Sequence, residues 1–144
     1  MVEQDTIKLL RECDAGTKMG ISSIGDVIDY VKSQELGEKL KTCKSEHEKL
    51  EKEIETQLEK YQDNGKEPNP MAKGMSWIKT NVMLVMNDSD QTIADLMTEG
   101  CNMGVKSLNK YLHKYEAADE VSKDLAKRLI NLEEKLAVDI RKFL

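Results

Sequence analysis

Four residues in this 144-residue chain bring reactive side chains to positions where a helical stripe calls for a hydrophobe or a small filler: Asp14, Cys43, His47 and Cys101. Carboxylate, thiolate and imidazole together suit zinc, and these four residues form the candidate metal site. Cys43 and His47 are four residues apart and share one helix face. A plainer alternative exists. Asp14 and His47 could form a buried hydrogen-bonded pair that fixes helix register, with the inner cysteines acting as small hydrophobes. Either way Asp14 needs a partner or a proton, because a lone buried carboxylate is expensive. If the chain turns near Ser33, Asp14 and His47 are offset by roughly 7 Å along the helix axis, which a loop of a few residues would reduce.

The elements that must position these residues follow from hydrophobic spacing. A first helix is expected over residues 5–32, with a seam of Ile7, Leu10, Asp14, Thr17, Ile21, Ile24, Ile28 and Val31 in alternating steps of three and four. Ser33 is a suitable N-cap for a second helix reaching residue 62. Its stripe is Leu36, Leu40, Cys43, His47, Leu50, Ile54, Leu58 and Tyr61. So short a link makes the two helices antiparallel neighbours. The run 63–70, with Asn64-Gly65 and Pro68-Asn69-Pro70, breaks the chain. Met71, Met75, Ile78, Val82 and Val85 then predict a shorter amphipathic helix over 71–86, containing Trp77. Roughly 24 Å of helix plus extended residues permits a long crossover. A third helix over 90–116 repeats the first at an offset of 84: Gly16, Met19, Gly20 and Ser23 coincide with Gly100, Met103, Gly104 and Ser107. By the same offset Cys101 takes the seam position of Thr17. A fourth helix over 119–143 repeats the second at an offset of 82. The expectation is one all-α domain over 1–144, an antiparallel four-helix bundle of two hairpins, 5–62 and 89–143, joined by the crossover 63–88.

Composition narrows the function classes. Charged residues make up 34% of the chain and aromatics 4%, which suits an all-helical protein. The net charge is −5 with basic and acidic residues interleaved, so nucleic acid and anionic membranes are not expected partners. No apolar run approaches the roughly 18 residues of a membrane span. The first residues show no signal-peptide pattern, and a cytoplasmic location is expected. Three cysteines within helical patterns read as reduced thiols; Cys13 stands beside the seam and should be inert. His113 should face water. Met71, Met75, Met83 and Met86, with Trp77, either line the bundle or offer an adaptable surface for a protein partner or for self-association. No nucleophile–base constellation, phosphate loop or CxxC motif is present.

Two repeated hairpins, a long crossover, and Asp and His at inner positions resemble the ferritin-like superfamily, including its small bacterial members. The resemblance implies one Glu on the first and third helices and Glu-x-x-His on the second and fourth, around two iron ions. Carried onto this chain, the ligand positions fall on Asp14, on Lys44 and His47, on Thr98, and on Ala126 and Leu129. Two of these six keep a plausible ligand. Glu99 is adjacent to Thr98, and Glu133 and Glu134 lie further along with no His three residues later. A di-iron centre needs several anionic oxygens, so no cofactor is expected. The resulting reading is a non-enzymatic helical scaffold or interaction protein with a degraded di-iron site. The alternative is a mononuclear zinc or iron protein, or a metal-dependent redox protein, working through Asp14 and His47.

Overall fold

The computed structural model describes residues 2–65 and 89–144. Four helices pack against one another, with no strand among the described residues. The helix expected over 71–86, with its methionines and Trp77, lies outside them.

Helix α1 is Val2–Val27, opening with Glu3 and Asp5 near its positive end. It ends earlier than the apolar spacing predicts. The chain tightens into a 3-10 turn at Ile28–Tyr30 and becomes extended at Val31. The N–H groups of Lys32 and Ser33 then donate to the Asp90 carboxylate at 2.8 and 2.9 Å, satisfying donors that a continued helix would have used internally. Helix α2 is Gln34–Glu59, and the Ser33 hydroxyl caps it by accepting from the Leu36 N–H at 3.3 Å. Its buried residues are Leu36, Leu40, Cys43, His47, Leu50, Ile54 and Leu58, the stripe read from the sequence except for Tyr61, which lies past the helix end in a turn and is half-buried.

Helix α3 is Ser89–Lys114 and helix α4 is Glu120–Asp139, followed by a 3-10 turn at Arg141–Phe143. Asp119 caps α4 by accepting from the Ser122 N–H at 2.8 Å. The link between α3 and α4 is tied to the start of α1: Asp5 accepts from the Ala117 N–H, and the Thr6 hydroxyl accepts from the Asp119 N–H at 2.8 Å.

The α1 stripe is broader than a strict heptad seam. Leu9, Leu10 and Cys13 are fully buried, whereas Ile7 and Ile21 are only half-buried. An unsupercoiled helix drifts from a 3.5-residue repeat toward 3.6, which turns these residues inward. Cys13, expected beside the seam, is therefore inside it, and burial pushes its thiol up to about 12, with help from the charges of Glu12 and Asp14. It stays protonated at neutral pH, and a thiol is a far weaker nucleophile than a thiolate.

The core has two parts. One joins Ile24 and Val27 of α1 with Leu36 and Leu40 of α2, Ile93 and Met97 of α3, and Leu136. The other joins Leu9 and Leu10 with Leu50, Ile54, Leu58, Leu108, Leu125 and Leu129. The closest packing is of α1 on α2 and of α3 on α4; α1 and α3 meet more loosely. The buried polar residues sit among these contacts. No described helix is long and apolar enough to cross a membrane.

Candidate functional site

Cys43 and His47 stand one turn apart on the inner face of α2, and the helix backbone sets the imidazole between two acceptors. Nδ1 lies 2.8 Å from the Cys43 carbonyl oxygen and 3.4 Å from the Cys43 Sγ. A carbonyl can only accept, so Nδ1 carries a hydrogen. Nε2 lies 2.9 Å from Oε1 of Glu133 on α4. With Glu133 ionised, both ring nitrogens donate and the ring is an imidazolium. Burial opposes that charge most strongly, but the hydrogen bonds with Cys43 and Glu133 and the Glu133 charge together outweigh it. The pKa of His47 is raised to about 10.

Two further helices complete the surroundings. Gly20 of α1 backs the ring: a Cβ there would stand 2.7 Å from His47 Cδ2 and 2.8 Å from Nε2, so no larger residue fits unless the ring moves. Cys101 of α3 stands close enough to Glu133 to feel its charge. Burial first, and then the Glu133 charge, push its thiol far above the usual range, so it stays protonated. Glu133 thus accepts from a buried cation and keeps the neighbouring thiol protonated.

Asp14 lies elsewhere. It is fully buried, and its Oδ2 accepts from Lys18 Nζ at 2.8 Å, one helical turn on. Glu51 and Glu55 of α2 face the same point, each offering a carboxylate oxygen such that those of Asp14, Glu51 and Glu55 lie within 4.8 Å of one another. Burial raises the Glu51 pKa, with added repulsion from Glu55 and Asp14. Gly65 closes this corner. Its φ is +83°, and a Cβ on it would stand 2.2 Å from Asp14 Oδ2. Asp63, two residues earlier, accepts from the Gly65 N–H at 2.9 Å and pairs with Arg11. Gly65→Ala should cost about 1–3 kcal/mol, because it combines a left-handed backbone with a steric clash. Chemical denaturation would measure this, and a loss below about 0.5 kcal/mol would mean that residue 65 does not rest on Asp14.

The four residues chosen from the sequence therefore divide. Cys43, His47 and Cys101 gather around Glu133, while Asp14 joins Lys18, Glu51 and Glu55. Asp14 and His47 have different partners. Two members of these groups carried a signal in the sequence. Lys18 follows Asp14 at i+4, a standard helix ion-pair spacing. Glu133 lies one turn after Leu129, between Leu132 and Leu136 of the inner stripe.

The donor chemistry at His47 does not fit a zinc or iron ion. A metal takes a neutral imidazole through a lone pair and takes cysteine as thiolate. Here both ring nitrogens serve protein acceptors, and Cys101 is held as a thiol. No family model, no curated protein and no solved structure matches the chain.

Proposed function

We propose that this chain is a non-enzymatic helical scaffold or interaction protein, built as a single antiparallel four-helix bundle of ferritin-like type whose di-iron site has decayed. The observation that carries this reading is that the singular polar residues are answered by protein groups. His47 is matched at both nitrogens, and Asp14 is paired with Lys18. The His47–Glu133 pair joins α2 to α4 and so orients helices without needing a substrate or an ion. In a bundle whose apolar stripes would tolerate sliding, a single buried ion pair penalises every register that separates its partners. The interleaved surface charge and the lack of a described membrane-spanning helix fit a partner that is protein, or a second copy of the chain.

A second reading has one observation in its favour. The carboxylates of Asp14, Glu51 and Glu55 converge, and hard oxygen ligands would suit a divalent cation of the magnesium, calcium or manganese class. Lys18 already supplies a positive charge there.

Metal analysis by mass spectrometry of untagged protein, purified under reducing conditions, decides between the readings. The scaffold reading expects no stoichiometric metal and a thermal midpoint that chelators leave unchanged. One equivalent of metal lost in Asp14→Asn would establish the second reading. One equivalent lost in His47→Leu would overturn the assignment of His47 as an internal cation.

A further inference from the structure

His47 has a nucleophile on one side and an acid on the other. The Cys43 sulfur lies 3.4 Å from Nδ1, and Nε2 lies 2.9 Å from Glu133 Oε1. Thiol, imidazole and carboxylate therefore stand in series across α2 and α4, the relation that activates a nucleophile when the ring is held by a third group. The protonation here is particular. Both ring nitrogens already donate, so His47 cannot act as a base toward Cys43. Its Nδ1–H is instead shared between the Cys43 carbonyl oxygen and the Cys43 sulfur. A negative charge developing on that sulfur meets a positive ring, and the attacking form of cysteine is the anion.

The sulfur can also be reached. Cys43 lines a groove of about 520 Å³ between α2 and α4, with Thr42 and Glu46 on one wall and Leu132 and Lys135 on the other. Cys43 keeps 7% of its surface, against 0% for Cys13 and 2% for Cys101. The neighbours of the other two thiols are acidic: Glu12 and Asp14 at Cys13, and Glu133 at Cys101. Their charges oppose the anion that the ring beside Cys43 supports.

We propose that Cys43 is a modification site, a reactive thiol that takes small, uncharged carbon electrophiles through the α2–α4 groove. His47 supports the charge that develops on sulfur, and Glu133 positions the ring. Small reagents are required because so little of Cys43 is exposed. Uncharged ones are required because an ion would have to shed its hydration to reach an enclosed sulfur. The sulfur electron pair forms the new S–C bond, and the leaving group departs with the electrons of its own bond. The thiol proton passes to water in the groove, since the ring already carries both its hydrogens. Reaction at this site does not depend on whether the bundle serves as a scaffold.

Alkylation of the full chain by iodoacetamide at neutral pH, followed at each cysteine by peptide mass spectrometry, tests the assignment. The chain unfolded in urea supplies the reference rates. In the folded chain Cys43 should react at least about tenfold faster than Cys13 and Cys101. The double variant His47→Leu, Glu133→Leu replaces the ion pair by apolar side chains and should fold, and its Cys43 should slow at least about tenfold. Glu133→Gln keeps an acceptor for Nε2 and removes the charge, so it should slow Cys43 in the same direction, and it carries the test if the double variant does not fold. The proposal is overturned if Cys43 reacts no faster than the other two cysteines in the folded chain, or if it keeps the parent rate in either folded variant.

Discussion

Glu133→Ala should be the most damaging single substitution in the chain, costing about 3–5 kcal/mol of folding free energy at neutral pH, because it strands a buried cation. His47 is 1% exposed, and its ring is boxed between α2 and the backbone at Gly20, so it cannot swing out to water. Its escape is to lose a proton. Burial already opposes the charge most strongly, and without Glu133 less remains to offset it, so the pKa of His47 should fall from about 10. The ring would then be neutral, keeping Nδ1–H on the Cys43 carbonyl and leaving Nε2 without a donor. The double variant His47→Leu, Glu133→Leu should recover most of the loss or exceed the parent in stability, since apolar replacement of a buried pair is often neutral or favourable. Denaturant melts of the two single variants and the double variant give the coupling energy directly. A Glu133→Ala loss below about 1 kcal/mol would mean that the pair is solvated, and the register argument would fall with it.

The stripe of α2 was legible in the sequence because all its buried residues recur at helical spacing, and the capping residue Ser33 was legible for a local reason, its position before an apolar run. The identity of His47 as an unusual inner residue was equally plain. Its partner was harder to find, because Glu133 belongs to a helix 86 positions away, and its place one turn after Leu129 is shared with the acidic edge of an amphipathic surface. Which carboxylate turns inward depends on the axial stagger and rotation of α4 against α2, and both are set by tertiary packing. The same blindness produced the expected Asp14–His47 contact. A stagger of roughly 7 Å exceeds what a hydrogen bond can span, and a lysine one turn away from Asp14 had the shorter reach. The α1 seam shows a further limit: a heptad template and a 3.6-residue stripe share enough positions that burial of Leu9 and Cys13 cannot be told from spacing alone.

Stability should fall as pH rises from about 6.5 toward 10, which is the reverse of the usual gain that carboxylates give on leaving acid. The sign follows from His47. Its folded pKa is raised to about 10, above the ordinary 6.5, so in that window the folded chain holds one more proton than the unfolded chain. The stabilisation is complete below 6.5 and declines by about 1.4 kcal/mol per pH unit, on the order of 5 kcal/mol in all. Other groups act outside the diagnostic part of this range. Asp63, Glu53 and Asp139 are held low by Arg11, Arg128 and Lys135, so their small, exposed contributions vanish only in acid. Glu51 is raised by burial from 4.5, so it too destabilises the fold from that pH upward, and it does so equally in the parent chain and in His47→Leu. Cys13 and Cys101 are raised from 9.0, so they destabilise the fold only as unfolded thiols ionise near and above that value. Between pH 7 and 8.5 the difference in slope between the parent chain and His47→Leu therefore belongs to His47. Urea melts at half-unit steps should show it in the parent chain and not in His47→Leu. A flat or rising profile in the parent would mean that His47 is neutral in the fold, and its Nε2 would then be open to the metal chemistry that the ion pair forbids.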